Sequence, residues 1–382
     1  MTTEKLYYED SHLSAFTARV LRCEGNAAVL DRTAFFPEGG GQRADTGSIG
    51  PARVTDVQEK GGEILHYLDA PLREGAEYPC AIDWETRFRR MQNHSGEHIV
   101  SGLVHKIYGY DNVGFHMGEH AVTIDFSGEI DREGLSRLEL LANEAVTRNI
   151  PVRTEFPSAA ALAAMDYRSK KELTGDVRIV TIEGVDVCAC CAPHVARTGE
   201  IGLIKLLSSM RHRGGVRIDM ACGMDALLDY RQKHESVEAV SRALSAKQPE
   251  VAAAVDRLAG ECAELRLRCG ELSREAVRAR LGVMEETEGN ICIFDSTLDE
   301  PALRELVNGA ALKCGGVAAV FFGGGDGGFR YIIGSAHGDL RLQTTDINAG
   351  IGGRGGGSAG MIQGSASKSA REIQDFLSKY KN

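Results

Sequence analysis

The sequence predicts an α+β multidomain protein with an N-terminal β-barrel, an α+β core, a helical coiled-coil hairpin and a C-terminal glycine-rich α/β domain. Short apolar runs separated by Gly, Asp and Pro open the chain, a heptad pattern follows its middle, and glycines concentrate near its end. The 382 residues suffice for about two to four domains. We expect domain boundaries that give residues 1–82, 83–230, 231–285 and 286–382.

The first predicted domain is rich in short strands. We expect strands at Ala15–Leu21, Ala27–Leu30, Ala52–Val57 and Glu63–Leu68, each bounded by turn-forming residues. A glycine-dense loop, Thr33–Gln42, follows the second strand. Several short strands joined by such turns indicate a small barrel.

The second domain mixes helices and strands. The pattern from Asp83 to Tyr108 predicts one amphipathic helix, with Asp83 as the N-cap and Gly109 as the stop. Strands are predicted at Ala121–Phe126 and Val177–Ile182, with a helix over Leu135–Asn149 between them. This alternation is typical of an α+β core.

The third domain is predicted to be helical and to carry a heptad seam. Its apolar residues alternate steps of four and three for about four repeats, which is typical of a coiled coil. A long helix packed in a globular core is the alternative. Pro249 separates this helix from Val237–Leu244, so we expect a hairpin whose seam pairs helices or the subunits of a homodimer. The seam consists of Val251, Val255, Leu258, Cys262, Leu265, Cys269, Leu272, Ala276 and Ala279.

The last domain is predicted to be a glycine-rich α/β unit. Strands are expected at Asn290–Phe294 and Val317–Phe322, and helices at Glu300–Leu312 and Ser367–Tyr380. The densest glycine run in the chain extends from Gly350 to Gly357.

Composition limits the class of protein. A formal charge of −10 argues against a protein that coats nucleic acid, while leaving room for a local basic path. No apolar stretch approaches the roughly 20 residues that span a bilayer, and the N-terminus lacks the pattern of a secretory signal. Ten cysteines in 382 residues are too sparse for a disulfide scaffold. We therefore expect a cytoplasmic protein with no membrane partner.

Four residues form a candidate metal site. His94 and His98 are four apart on the predicted helix, so both imidazoles can reach one ion. Cys190 and His194 add a thiol and a third imidazole from a predicted loop, and this ligand set favours one zinc ion per chain. Cys188 and Cys191 lie within reach of the same loop and are rival thiol ligands. Buried thiols and hydrogen-bonded histidines without a metal are the alternative.

These motifs resemble a known family. The pattern His94-x-x-x-His98 followed by Cys190-x-x-x-His194 is similar to the editing domain of alanyl-tRNA synthetase and to its free-standing relatives, the alanyl-tRNA editing proteins called AlaX. The resemblance extends to Phe36–Gln42, to Asp45-Thr-Gly47 and to Arg197–Gly202, all in the family's order. The run Gly352–Gly357 looks like the C-terminal domain of those synthetases. With no aminoacylation domain before Met1, the chain is similar to the long free-standing form.

The resemblance implies an activity and further site residues. It implies a trans-editing hydrolase, an aminoacyl-tRNA ester hydrolase, that uses zinc to remove serine, or alternatively glycine, from mischarged alanine tRNA. Gln42 in the glycine loop and His116 in Gly114–Gly118 then become candidate catalytic residues, each with a purely structural alternative. Arg354 and its flanking glycines become candidates for contact with RNA phosphates, a flexible loop being the alternative.

The chain departs from the family at one point. The family usually has Cys-Gly-Gly-Thr-His where this chain has Cys190-Cys-Ala-Pro-His194, and this difference bears on which thiol binds metal. Four protein ligands also describe a closed site, whereas catalytic zinc usually keeps one position free. Whether zinc would activate water or orient the substrate therefore stays open.

Two other classes of function compete with the hydrolase. The segment His94-Ser-Gly-Glu97-His98 also matches the inverted zinc-protease motif, in which the glutamate is a general base. That interpretation leaves Cys190 and His194 unexplained, and Glu97 is also expected as an ordinary surface charge of the helix. The third class is a non-catalytic protein that binds tRNA or dimerises and holds a structural zinc.

Overall fold

The protein folds as two compact units. The computed structural model describes residues 3–118, 121–169, 176–325 and 328–380. The units are Met1–Glu238 and Ala239–Asn382, and the division falls within a long helix. Both units combine strands with helices around buried apolar cores. Among the helices of these described ranges, none has the length and apolar character needed to cross a membrane.

The first unit contains most of the strands and the helices of the candidate site. In chain order its elements are β1 (Glu4–Lys5), β2 (Ala15–Glu24), β3 (Ala27–Leu30), β4 (Arg32–Thr33), β5 (Gly47–Ile49), β6 (Ala52–Lys60), β7 (Glu63–Leu68), β8 (Glu77–Ile82), α1 (Trp84–Tyr108), β9 (Asn112–Met117), β10 (Val122–Phe126), α2 (Arg132–Thr147), β11 (Val152–Glu155), α3 (Ala159–Ala164), β12 (Ile179–Ile182), β13 (Asp186–Ala189), β14 (Ile204–His212), β15 (Gly215–Cys222) and α4 (Gly223–Ala243).

Six strands of this unit close into a ring, in the order β2-β3-β7-β6-β5-β8, and every neighbouring pair is antiparallel. The four predicted strands all occur in it, whereas β5 and β8 were not predicted. Pro79 argues against a strand at β8 because proline cannot donate a backbone hydrogen bond. Its carbonyl nevertheless accepts one from Gly50 N at 2.8 Å, so the strand is held there by an acceptor.

Helix α1 is the central element of the rest of this unit. It begins after Asp83 and ends at Tyr108, and the left-handed backbone of Gly109 (φ 67°) stops it, as the sequence predicted. The Asp83 carboxylate accepts hydrogen bonds from Thr46 and Arg53 and caps no helical N–H group. The middle of α1 is buried almost all round. Gly102 permits this close packing, since a Cβ atom there would lie 2.5 Å from the Val185 carbonyl oxygen.

Two antiparallel sheets pack around α1. One has the order β14-β15-β10-β9 and the other β11-β12-β13. The predicted strands at 121–126 and 177–182 correspond to β10 and β12, and the predicted helix at 135–149 corresponds to α2. The β14–β15 hairpin was not predicted; much of β14 is exposed, and its apolar and polar residues do not alternate.

The second unit is a five-stranded sheet with helices. Its elements are α5 (Val251–Val283), β16 (Ile291–Phe294), α6 (Glu300–Ala311), β17 (Ala318–Gly325), β18 (Gly328–Gly334), α7 (Leu340–Ile351), β19 (Gly353–Gly357), β20 (Met361–Ala366) and α8 (Ala370–Lys379). The sheet order is β16-β17-β18-β20-β19, with β16 and β17 parallel and the other pairs antiparallel. Gly353–Gly357 of the glycine run therefore form an edge strand and not a flexible loop, while Gly350 lies in the last turn of α7.

The predicted heptad seam lies on α5 and is largely exposed. Pro249 interrupts the helical region in a short 3-10 turn between α4 and α5, as expected. Leu258, Leu265 and Leu272 are 46%, 64% and 48% exposed, and only Ala254 and Val277 of α5 are buried. The fold of the single chain thus leaves the seam uncovered, and a coiled-coil pairing is not confirmed.

Candidate metal centre

The structure brings the four predicted metal ligands together. His94 and His98 lie one turn apart on α1, while Cys190 and His194 lie in the segment that follows β13. Their ligand atoms, one from each residue, all lie within 4.8 Å of one another. The three histidines are at most 2% exposed, and Cys190 is partly buried. This group of residues could hold a metal ion.

The separations between the ligand atoms fit a tetrahedral ion. Cys190 Sγ lies 3.6 Å from His94 Nε2 and 3.4 Å from His194 Nε2. Metal–ligand bonds of zinc length at tetrahedral angles place a sulfur and a nitrogen about 3.6 Å apart. The one thiol proton of Cys190 cannot serve both imidazoles, whereas one metal ion satisfies the thiolate and all the imidazoles together.

Each imidazole is fixed through its other nitrogen. His94 Nδ1 is 3.1 Å from Gln42 Oε1, and His98 Nδ1 is 2.9 Å from Asp186 Oδ2. His194 Nδ1 is 3.1 Å from Ser95 Oγ. In each ring the Nδ1–H group can donate to the neighbour, which leaves the lone pair of Nε2 for a metal. Such partners orient the ring and select the tautomer in metal sites generally.

At Cys190 and His194 the electrostatics favour the protonation states that a metal needs. Burial lowers the pKa of His194 to about 3, so this imidazole stays neutral. Burial opposes ionisation of the Cys190 thiol, but the adjacent His94 and His194 rings outweigh it and hold the pKa of Cys190 well below its usual value. A thiolate with neutral imidazoles is the ligand form that zinc binds.

The geometry distinguishes the three candidate thiols, Cys188, Cys190 and Cys191. Cys190 is the thiol that faces His94 and His194. Cys188 lies on β13, where it groups with His98 and Asp186, and burial raises the pKa of its thiol. Cys191 is exposed, and its Sγ borders the glycine loop. Cys190 is thus the thiol that groups with all three histidines.

Gln42 belongs to the same centre. It is 1% exposed and its Oε1 faces His94, while its Nε2 is buried with no hydrogen-bond partner in the described part of the chain. The preceding Gly41 has a left-handed backbone (φ 83°), and a Cβ atom there would collide with the ring of Phe115. The glycine loop therefore lets the Gln42 amide approach α1 closely.

A buried ion pair fastens the glycine loop to α1. Arg87 Nε donates to Asp45 Oδ2 at 2.8 Å, and the Arg87 side chain is wholly buried. Arg87 also donates to the carbonyls of Ser11 and Ala34, at 3.1 and 2.6 Å, and Phe36 N donates to Asp45 Oδ2 at 2.7 Å. These bonds fix the two ends of the loop relative to the helix that carries the histidines.

The structure does not bring His116 into this group. His116 is exposed on β9, and its neighbour Phe115 packs against His94 with a centroid separation of 5.0 Å. Successive side chains of a strand point to opposite faces, so only one of these two residues can face α1. Phe115 pairs with the buried Ile124 and Met117 with the buried Val122, which turns His116 outward.

Glu97 is buried, although the sequence predicted it on the solvent-exposed surface of the helix. It is 1% exposed, and its Oε1 accepts hydrogen bonds from Ser101 Oγ and Asn112 Nδ2, both at 2.6 Å. The expectation of a surface charge was wrong because α1 is covered on nearly every side. Glu97 joins α1 to the start of β9.

Several residues of the site were not predicted. Asp186 accepts from His98 and also from Arg168, whose Nε and Nη2 lie 2.7 and 2.9 Å from its two oxygens. Ser95 supports His194. Two signals could have indicated them: Ser95 lies between the two helical ligands, and Asp186 is an acidic residue in the alternating segment that leads to Cys190.

Two models of known protein families match segments of the first unit, and one of these segments contains metal-ligand candidates. A family model described as "Threonyl and Alanyl tRNA synthetase second additional domain" matches residues 177–218, which include Cys190 and His194. A second model, described as "tRNA synthetases class II (A)", matches residues 3–86. These matches cover β12 to β15 and the strand ring, respectively.

Several archaeal proteins named alanine–tRNA ligase are similar to the chain. The protein of Pyrobaculum neutrophilum is 31% identical over 95% of this chain and 42% of its own length. Those of Ignicoccus hospitalis and Methanopyrus kandleri are 31% and 34% identical over 80% and 78% of this chain, respectively. The matches cover 36% and 34% of those two relatives, so the chain spans well under half of the ligases that it resembles.

Proposed function

Because this chain is an alanyl-tRNA-synthetase-like protein, we propose that it is a zinc-dependent trans-editing hydrolase acting on mischarged alanine tRNA. The amino acid removed is serine, with glycine as the alternative. One observation carries the proposal: three imidazoles and a thiol converge at distances that suit one ion, beside an amide donor that has no partner among the described residues. The match of residues 177–218 to a synthetase additional domain supports it.

The residues of the centre suit hydrolysis of an activated ester. His94, His98, Cys190 and His194 would hold the ion, which when bound supplies a Lewis acid or a water of lowered pKa. Gln42 keeps its Oε1 on His94 and offers its Nε2–H groups to the oxygen that gains charge as the ester carbonyl is attacked.

A specific contact argues against the protease alternative. In that mechanism the Glu97 carboxylate must face the reacting water. Here Oε1 of Glu97 accepts two hydrogen bonds inside the core, from Ser101 and Asn112, while Oε2 lies 4.0 Å from His98 Nε2. The two bonds to Oε1 fix the carboxylate to Ser101 and Asn112, which suits a structural role. The buried Gln42 donor, in turn, is an element that a purely structural zinc site does not need.

Each of the four predicted domains has a role in the proposed function. Residues 1–82 would form the barrel and 83–230 the editing core, while the seam of 231–285 would pair two subunits. The edge strand β19, with Arg354, would contact tRNA phosphates in the domain of 286–382. These assignments rest on the resemblance and on the exposed positions of the seam.

A substitution at Gln42 tests the proposed chemistry. Gln42→Glu keeps an oxygen for His94 Nδ1 but removes the N–H donor, so we expect zinc to stay bound while kcat for seryl-tRNA falls about 100-fold. Single-turnover deacylation and metal analysis measure the two effects. His116→Ala is the control, and we expect it to leave deacylation unchanged because His116 is exposed on the other face of β9. A Gln42→Glu variant with full kcat would contradict the role of the amide.

A further inference from the structure

A basic pocket adjoins the metal centre in the first unit. It has a volume of about 380 Å³ and lies between the glycine loop, α1, the end of β9 and the start of α4. Its lining includes three arginines and one carboxylate, so positive charge is in excess. The charged lining residues are Arg43, Arg89, Arg90 and Asp225.

The carboxylate of this pocket is already neutralised. Asp225 accepts from Arg89 through Oδ1 and from Asn93 Nδ2 at 2.7 Å through Oδ2. Asn93 in turn accepts from Cys222 N at 2.9 Å, which fixes the amide. Asp225 is 9% exposed, so it holds Arg89 in position and contributes little negative charge to the opening.

The other two guanidinium groups are less completely balanced. Arg90 donates to the Ala44 carbonyl at 2.7 Å and lies 4.0 Å from Asp45, a carboxylate that Arg87 already engages. Arg43 is exposed, and the described residues offer it no ion pair. Burial lowers the pKa of Arg90; Asp45 and Asp83 oppose this shift, while the positive charges of Arg43 and Arg87 add to it. An anion would relieve this repulsion.

The pocket is coupled to the metal centre through the chain itself. Arg43 directly follows Gln42, whose amide contacts His94. Arg90 precedes His94 by four residues and therefore lies one turn away on the same helix face. Two of the pocket's arginines are thus carried by the same loop and the same helix face as residues of the metal centre.

From this arrangement we infer that Arg43, Arg89 and Arg90 bind the phosphodiester of the terminal nucleotide of the tRNA. The inference rests on the proposed function. The amino acid is esterified to the ribose of that nucleotide, so its phosphate is the nearest anion to an ester that lies at the metal. Guanidinium groups suit a phosphodiester because they donate two parallel hydrogen bonds and keep their charge. Such contacts position the substrate and carry no sequence information.

A double-mutant cycle tests the contact directly. The probes are two acceptor-stem RNAs that end in CCA and carry no amino acid. One is natural, and the other has a neutral methylphosphonate at the linkage before the terminal nucleotide. With the intact wild-type protein, we expect the neutral linkage to weaken binding about tenfold. With Arg43→Ala, we expect the natural RNA to bind several-fold more weakly and the neutral linkage to cause a clearly smaller loss than in the wild type, since only Arg89 and Arg90 then face the phosphate. If the neutral linkage weakened binding by the same factor in the wild-type protein and in Arg43→Ala, the two changes would be additive and the inference would be overturned.

Controls separate this contact from general charge effects and from misfolding. Arg19→Ala removes an exposed arginine that pairs with Glu77 on the strand ring, and we expect it to leave the tenfold effect of the neutral linkage intact. Arg43→Lys should restore part of the affinity. Zinc content serves as the measure of folding, and we expect it to be unchanged in Arg43→Ala because this side chain is exposed.

Kinetics distinguish failure of this inference from failure of the proposed function. If the protein is a hydrolase and Arg43 binds the phosphate, Arg43→Ala raises KM for seryl-tRNA several-fold and leaves kcat nearly unchanged. Coupling in the binding cycle without any deacylation would support the phosphate contact and overturn the hydrolase. Deacylation with an unchanged KM and an additive cycle would support the hydrolase and overturn the phosphate contact.

Discussion

His98 illustrates how the centre is organised at the scale of single residues. Its Nδ1 faces Asp186, and Asp186 is held in turn by two hydrogen bonds from Arg168. Burial alone would lower the pKa of His98, but the hydrogen bonds to Asp186 and Cys190 raise it well above its usual value. The imidazole is thus held rigidly by polar groups before any metal binds.

The identity of the thiol ligand leads to the first prediction at this scale. Cys190→Ala should reduce zinc from about one ion per chain to a small fraction, because the variant loses the one thiolate and keeps only three imidazoles. Cys191→Ala is the matched control, since this adjacent thiol is exposed and outside the cluster. Metal analysis of the purified variants measures both. Loss of zinc in Cys191→Ala, with zinc retained in Cys190→Ala, would move the site to Cys191.

A buried charge pair leads to a second prediction at this scale. Arg87→Ala leaves the buried Asp45 without its main partner, so we expect the free energy of unfolding to fall by about 3–5 kcal/mol. Urea denaturation measures the change. Arg53→Ala is the control, because Arg53 is 62% exposed and pairs with Asp83 at the surface, where about 0–1 kcal/mol is expected. Similar losses in the two variants would contradict a special role for the buried pair.

At the scale of elements, helix α5 presents an apolar stripe without a partner in its own chain. Leu258, Leu265 and Leu272 recur at heptad spacing and are exposed. Val277 shows where the helix is anchored, since it packs with Leu303 and Leu306 of α6 in a buried cluster. An exposed heptad stripe next to an anchored end is the feature that a second subunit would cover.

The seam prediction can be tested with two equally exposed leucines. If α5 pairs between subunits, Leu265→Asp should convert a dimer into a monomer in sedimentation velocity, because a carboxylate would be buried in the seam. Leu267→Asp is the matched control: Leu267 is 63% exposed against 64% for Leu265, but it lies off the heptad positions. A wild-type monomer, or equal effects of both substitutions, would show that the stripe is not an interface.

The sequence predicted elements best where local signals agree. Helix α1 has a periodic apolar pattern and a glycine stop, and its observed end at Tyr108 matches the prediction. Strand β8 escaped prediction because Pro79 argues against a strand, and β14 because its apolar and polar residues do not alternate. Strand β15 carries a clear alternation, Val216, Ile218 and Met220 against Arg217 and Asp219, which the sequence prediction missed. Tertiary pairing outweighs local propensity in β8 and β14.

In the candidate site, too, some features could be predicted from the sequence and others could not. Helical spacing predicted that His94 and His98 share a face. Cys190 and His194 were added as a thiol and an imidazole from a loop, with Cys188 and Cys191 as rival thiols. The burial of Glu97 could not be predicted, since it depends on the sheets that cover α1. The direction of His116 could not be predicted either, because a bulge near Val113 changes the register of β9 relative to β10. A shift of one residue in a strand moves a side chain to the other face.

At the scale of the whole molecule, the two compact units separate the candidate chemistry from the glycine-rich sheet. All four ligands, Gln42 and the arginine pocket belong to Met1–Glu238, whereas β19 belongs to Ala239–Asn382. Hydrolysis and part of the tRNA affinity are therefore expected to be separable properties of one chain.

The central claim is that the metal centre hydrolyses mischarged alanine tRNA, and one measurement tests it most directly. Purified protein is incubated with seryl-tRNA made from alanine tRNA, first as isolated, then after removal of metal by a chelator, and finally after zinc is restored. We predict release of serine, its loss with the metal and its recovery with zinc, while correctly charged alanyl-tRNA stays intact. Binding of this tRNA by the zinc-loaded protein without release of serine would contradict the account.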